Sequence, residues 1–190
     1  MHELITQRWS ARGYDAQATV SRTDIGSILD AGRWAPTWGR IQPVRFLVGF
    51  RGDPTFDTLT ATLNRGNTTW APAAAAFILL STTNDPDDAN AHEYGAVDLG
   101  IALAQMSIQA VALGLNAHPM AGFDRAAARR LFEIPDDKRP MVILAIARLA
   151  ADPATLPPEI RARDQQPRQR LPLPEIAFAG RWGEPLPGVD

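Results

Sequence analysis

The stretch Glu93 to Leu113, EYGAVDLGIALAQMSIQAVAL, constrains the fold more than any other, because a run of this length and pattern can only be a helix. At ~1.5 Å per residue it makes a rod of roughly 32 Å, about the width of a small domain. Leu99, Leu103, Met106, Ala110 and Leu113 share one face, while Ile101, Ile108, Val111 and Ala112 carry the apolar surface onto others. A helix apolar nearly all round has to be covered nearly all round. Ala96, Gly100 and Ala104 recur every fourth residue and leave a line without bulk, along which another element can come close. Asp98, Gln105 and Gln109 interrupt the run, and neither a Lys/Arg cluster nor an aromatic belt flanks it. It reads as a core helix, not as a bilayer span.

A chain of 190 residues suits one domain with a substantial core. The net charge of -2 gives no reason to expect nucleic acid or an anionic membrane as a partner. Lys138 is the single lysine among 19 basic residues, so the positive charge is almost all guanidinium, a planar fork suited to phosphate and carboxylate. The absence of cysteine excludes disulfides, thiolate catalysis and Cys-ligated zinc. The opening MHELITQRWS has no apolar core of a signal peptide, so a cytoplasmic protein is expected.

Along the chain, Met1 to Trp9 can form a short helix that runs into Arg8-Trp9-Ser10-Ala11-Arg12. In an extended segment residues i, i+2 and i+4 point the same way, so Arg8, Ser10 and Arg12 could converge on one anion, although a solvated charged turn would look the same. Ser21 is an N-cap with Asp24 three residues on, opening a helix to Gly32. Arg33 to Pro43 holds two prolines, a glycine, Trp34 and Trp38 between a helix and a strand, an ordered loop whose tryptophans either pack on the core or face a ligand. Val44 to Phe50 reads as a strand, Asp53 or Thr55 opens a helix to Leu63, and Asn64 to Trp70 is a polar loop closed by an aromatic. Ala73 to Ser81 is the unbroken apolar run of a strand buried on both faces. Gly114 stops the core helix, Asn116 to Gly122 forms a short strand or turn, Asp124 caps a helix holding Leu131 and Phe132, and Met141 to Leu149 is a further strand. Alternation of strand and helix argues an α/β sandwich with helices on a central sheet.

From Ala151 the character changes. Half of the 16 prolines lie between Pro153 and Pro187, with too few large apolar residues for a separate core. Leu171, Leu173, Ile176, Phe178 and Trp182 are nevertheless too many to leave in water, and the segment reads as an arm laid over a partner subunit. The domain reading is therefore 1–150 as the body and 151–190 as the arm.

Five motifs in order resemble the FMN-dependent nitroreductase family over nearly the whole chain. They are Arg8-x-Ser10-x-Arg12 with Tyr14; Ala35-Pro36-Thr37 with Gln42-Pro43; Gly66-Asn67-x-x-Trp70-Ala71; Pro119-Met120-Ala121-Gly122-Phe123-Asp124; and Arg168-Gln169-Arg170-Leu171-Pro172-Leu173. The resemblance implies an α/β (α+β) three-layer sandwich, a central mixed sheet with helices on both faces, in an intertwined homodimer with FMN at the subunit interface. By the same resemblance Arg8, Ser10, Arg168 and Arg170 would hold the phosphate and ribityl end, Arg12 would approach the N1 and C2 carbonyl region, and Asn67 the pyrimidine edge. The Ala121 and Gly122 backbone would lie near N5, making Arg12, Ala121 and Gly122 the catalytic set. Trp9, Trp70 and Met120 complete the flavin contacts within one subunit, and Pro36, Thr37, Trp38, Arg40 and Gln42 would come from the other. Trp38 and Arg40 stand where the family carries a Ser and an Asn, and Trp70 where some relatives carry a Lys. His118, beside the fourth motif, is expected to be packed and hydrogen-bonded.

The activity implied is hydride transfer from NADH or NADPH through flavin N5 to a small acceptor such as a nitroaromatic or quinone. No Gly-x-Gly-x-x-Gly follows a strand, so the nicotinamide would stack on the flavin itself. The same fold also allows reductive dehalogenation, flavin fragmentation or heterocycle oxidation. A flavin-sequestering protein without turnover is the alternative from another class.

Overall fold

The computed structural model describes residues 1–189 apart from the side chain of Arg40. Side-chain oxygens start the helices by accepting backbone N–H groups that have no partner of their own. Ser21 does so for α2 (Arg22–Arg33), Asp53 for α3 (Pro54–Thr62), Asp88 for α4 (Ala89–Ala112) and Asp124 for α5 (Arg125–Leu131). A short α1 (Glu3–Gln7) precedes them, and α6 (Pro158–Asp164) begins with proline in its first turn, where no N–H is needed.

Four strands, β1 (Arg45–Phe50), β2 (Ala76–Thr83), β3 (Asn116–Met120) and β4 (Lys138–Ala147), form a sheet of order β1-β2-β4-β3. All three pairings are antiparallel, where a mixed sheet was expected; alternating strands and helices do not specify strand direction. The central strand β2 is buried on both faces and starts later than its apolar run, because Ala71–Ala73 form a 3-10 turn around Pro72. Two apolar clusters flank the sheet. One joins Ile25 and Ile28 of α2 with Leu99 and Met106 of α4 and Ile78, Leu80, Leu144 and Ile146 of the sheet. The other joins Phe56 and Leu59 of α3, Ala128 of α5 and Ile160 of α6 with Phe77, Leu79 and Ile143. The chain is therefore a three-layer α+β sandwich, helices on both faces.

The long helix begins at Ala89, earlier than Glu93, because Asp88 caps it. By length and composition it could cross a membrane, but Asp98, Leu99 and Met106 are packed into the core. Within one chain its cover is one-sided: Gly100 and Ala104 are exposed, and Val97 is 50% exposed.

Candidate functional site

The N-terminal loop after α1 is threaded between β3 and the C-terminal segment. Asn116 Nδ2 donates to the Trp9 carbonyl at 3.0 Å, and His118 Nδ1 lies 2.7 Å from the Ala11 carbonyl. On its other side the Arg12 and Gly13 backbone N–H groups donate to the Asp164 carboxylate of α6 at 2.8 to 3.1 Å. Ala150 N–H donates to Gly13, and Asp15 N–H to Arg148. A Cβ on Gly13 would sit 2.3 Å from Leu156 Cδ1, so a larger residue there would have to displace the Leu156 side chain. Burial lowers the His118 pKa, so the imidazole is neutral near pH 7 and its Nδ1–H donates to Ala11. His118 is thus a packed, hydrogen-bonded histidine, as expected. Burial, opposed by the Gly13 N–H bond, raises the Asp164 pKa.

Threading separates the three residues expected to converge. Arg8 turns toward the tail: Arg168 donates to the Thr6 and Arg8 carbonyls at 2.8 and 3.1 Å, and the Arg8 pKa is lowered by burial and then by the neighbouring charges of Arg170 and Arg168. Three guanidinium groups from both ends of the chain gather here, and none takes part in an ion pair among the described residues. Ser10 is exposed beside them in sequence. Arg12 instead lies over the Trp70 ring, 5.6 Å from its centroid, with its Nε buried and unpartnered. It lines a cavity of about 610 Å³ with Tyr14, Thr68 and Trp70.

Trp70 is buried, held by its indole N–H donating to Gly66 at 3.0 Å and by rings of His118 and Tyr14 at 4.4 and 5.8 Å. The same loop presents Asn67, whose Nδ2 donates to the Gly122 carbonyl at 2.9 Å. Gly122 is required for that approach, because a Cβ there would meet Asn67 Nδ2 at 2.9 Å. Asn67, expected at the pyrimidine edge, and the Gly122 backbone, expected near N5, thus lie in direct contact. Met120, just before them, is buried in the α3 and α5 cluster.

The loop after α2 lies elsewhere. Pro36 and Gln42 are exposed, Thr37 half-buried, and the Arg40 side chain lies outside the described residues. Thr37 and Gln42 line a cavity of about 350 Å³ between α2 and α4 that also holds Asp98, Leu29 and Phe46. Trp38 is anchored on α4: its N–H donates to both oxygens of Asp98 at 3.1 and 3.2 Å, and its ring stacks on Tyr94 with centroids 5.3 Å apart and planes 10° apart. Among the described hydrogen bonds none joins this loop to Arg8, Asn67 or Gly122 within one subunit.

Two carboxylates that organise the region, Asp98 and Asp164, escaped sequence reading. Both act by accepting backbone N–H groups distant in sequence, which leaves no local pattern; the Pro157-Pro158-Glu159 start of α6 was the one available signal for Asp164.

Comparison with known proteins agrees with this architecture. The sequence profile of the nitroreductase family matches residues 5–53 and 52–148. An uncharacterised 15.4 kDa protein in the ask 5′ region of Mycolicibacterium smegmatis is 48% identical over 153 residues, covering 75% of this chain and all of that protein. The structure of an oxidoreductase containing FMN superposes with a TM-score of 0.86 at 28% identity, over 97% of this chain and 93% of the other. A Desulfovibrio desulfuricans protein, described as a nitroreductase in complex with FMN, superposes with a TM-score of 0.74 at 27% identity, over 97% and 96%. With its three-layer sandwich, its five motifs in order and a profile match over most of its length, the chain belongs to the nitroreductase family.

Proposed function

We propose that this chain is an FMN-dependent oxidoreductase of the cytoplasm that takes hydride from NADH or NADPH and passes it to a small acceptor such as a nitroaromatic or quinone. The observation that carries the reading is the gathering of Arg8, Arg168 and Arg170 with no carboxylate partner among the described residues, three like charges whose repulsion a bound phosphate would relieve. Two more features fit a flavin. The Arg12 Nε is buried without an acceptor, and the Asn67–Gly122 contact leaves a side-chain amide beside a backbone without bulk.

In this assignment Arg8, Ser10, Arg168 and Arg170 hold the phosphate end and Trp9 walls the site, while Met120, buried in the core, backs the Ala121–Gly122 stretch from behind. Asn67 hydrogen-bonds the pyrimidine edge, and Ala121 and Gly122 offer backbone N–H groups near N5. Arg12, supported by Trp70, supplies a fixed cation where negative charge develops. FMN, when bound, supplies reversible hydride acceptance and donation. Pro36, Thr37, Trp38, Arg40 and Gln42 reach the site from a second copy.

A homodimer is part of the proposal. The open face of α4, with Val97, Gly100 and Ala104, is an apolar surface that a second copy would cover. Residues 1–150 form the body and 151–190 the arm. Within the arm Ile160 is buried in the chain's own core, so the embrace of a partner falls to the stretch from Arg168 on, where Leu171, Leu173 and Ile176 are exposed and Trp182 is 92% exposed.

Stopped-flow mixing of the purified protein with NADH and with NADPH tests the reading. The expected result is a yellow protein with one FMN per subunit whose flavin band bleaches with one of the two. A flavin that neither reagent bleaches makes the protein a carrier, and a colourless protein that takes up no FMN ends the proposal.

A further inference from the structure

Among the described residues, the backbone of 36–41 makes few hydrogen bonds. Thr37 makes no side-chain cap, the Ile41 N–H reaches the Trp38 carbonyl only at 3.4 Å, and Gly39 takes a left-handed conformation, φ 65°. Among the described residues the hydrogen bond that ties this stretch to another element is the one from Trp38 N–H to Asp98. Asp98 is only 3% exposed and takes part in no described ion pair. A buried carboxyl group without hydrogen-bond donors is costly, and the Trp38 N–H supplies one. Tyr94 stands one helical turn earlier on the same face of α4 and holds the Trp38 ring flat against its own. A carboxylate and the tyrosine four residues before it thus hold, respectively, the backbone and the side chain of one loop residue.

The geometry points to Asp98 and Tyr94 as positioning residues that fix Trp38 as a rigid wall of the acceptor side, so that α4 sets which acceptors are admitted. This inference rests on the flavin-site reading above, in which the loop borders the acceptor. A tryptophan free to swing would act as a lid that large acceptors displace. Clamped at backbone and ring, it instead excludes them by shape. A neutral residue at 98 with an acceptor oxygen should preserve the clamp, whereas one without it should release the loop.

The test compares Asp98→Asn, Asp98→Leu, Tyr94→Phe and Tyr94→Leu with the parent and with Trp38→Ser, all as flavin-loaded full chains. Two quantities are read: acrylamide quenching of the fluorescence that Trp38→Ser removes, and the ratio of kcat/KM for a bulky quinone to that for a small one. Asp98→Leu and Tyr94→Leu are expected to raise the quenching and to shift the ratio toward the bulky quinone by about tenfold, the scale of a lost shape contact. Asp98→Asn and Tyr94→Phe, which keep the acceptor and the ring, should behave as the parent. Asp98→Leu alters a buried site and can fail to fold, in which case the Tyr94 pair decides. Unchanged quenching in folded Tyr94→Leu overturns the clamp. Raised quenching with an unchanged ratio, while Trp38→Ser shifts it, overturns the role in selection. If no protein of the set turns over any acceptor, the flavin-site reading fails, and the quenching alone then confirms or refutes the clamp.

Discussion

Replacing Gly122 with alanine isolates one contact of the candidate site. The added Cβ would lie 2.9 Å from Asn67 Nδ2, with the next neighbours, Asn64 Cβ and Nδ2, at ordinary distances of 3.8 and 3.9 Å. Gly122 is not in the left-handed region, so alanine meets no backbone strain. The obstacle is the far end of a flexible side chain, which can retreat. The cost is then the loss of the 2.9 Å bond to the Gly122 carbonyl, about 1 kcal/mol. Against it stands the gain of roughly 0.4 to 1 kcal/mol that alanine brings by restricting the unfolded chain. Gly122→Ala should therefore leave stability almost unchanged in the parent, yet stabilise an Asn67→Ala background, where nothing is displaced, by roughly 0.4 to 1 kcal/mol. The coupling between the two sites is the lost bond, about 1 kcal/mol. Urea unfolding of the flavin-free parent, both single variants and the double variant measures it directly. Flavin titration adds a second readout: displaced Asn67 should weaken FMN about fivefold, the equivalent of one neutral hydrogen bond. Additivity within about 0.3 kcal/mol would show that the missing side chain at 122 does not govern Asn67.

Three further outcomes are expected. Arg12→Met should retain most FMN but slow its reduction by NAD(P)H at least about tenfold in single-turnover measurements, since a cation preorganised at developing charge is lost; reduction at the parent rate would remove Arg12 from the catalytic set. Arg168→Met should loosen FMN by about tenfold or more, with a weaker salt dependence of binding than the parent, because one charge-assisted contact and two carbonyl tethers vanish together. The lowered pKa of His118 means that the unfolded chain binds its proton first, so this residue costs stability as pH falls below 6.5 and none above it. His118→Gln should flatten the stability–pH curve on that acidic side in denaturant melts, and an unaltered slope would contradict the burial.

Helix starts were legible because their signal is local: Ser21, Asp53 and Asp124 each cap the helix that follows. Sheet direction was not, because the sequence period of a strand is the same whichever way its neighbour runs. The one-sided cover of α4 shows the complementary lesson. Its all-round apolarity was readable, but a single chain need not supply all of the cover, and here it does not. Of the candidate site, the Asn67 to Gly122 bond is known only from the structure, whereas the gathering of Arg8 with Arg168 followed from the motifs. Asp98 did not, since in sequence it looks like a polar interruption of an apolar helix and only its burial beside Trp38 gives it a role.

The threading of the N-terminal loop has a consequence for how the protein is made. Trp9 and Ala11 find their partners 107 residues downstream, and Arg12 and Gly13 find theirs 152 and 151 residues away. At the ~5 to 20 residues per second of a ribosome, the loop emerges roughly 8 to 30 s before Asp164 exists to receive it. Asn116 and His118 emerge earlier and can seat Trp9 and Ala11 on β3, but the Asp164 clamp on Arg12 and Gly13 and the Arg168 tether to Arg8 wait for the end of the chain, so the first-made part of the site is the last to be completed. A nascent chain arrested before α6 should carry a sheet and its α2 and α4 layer, yet hold no flavin.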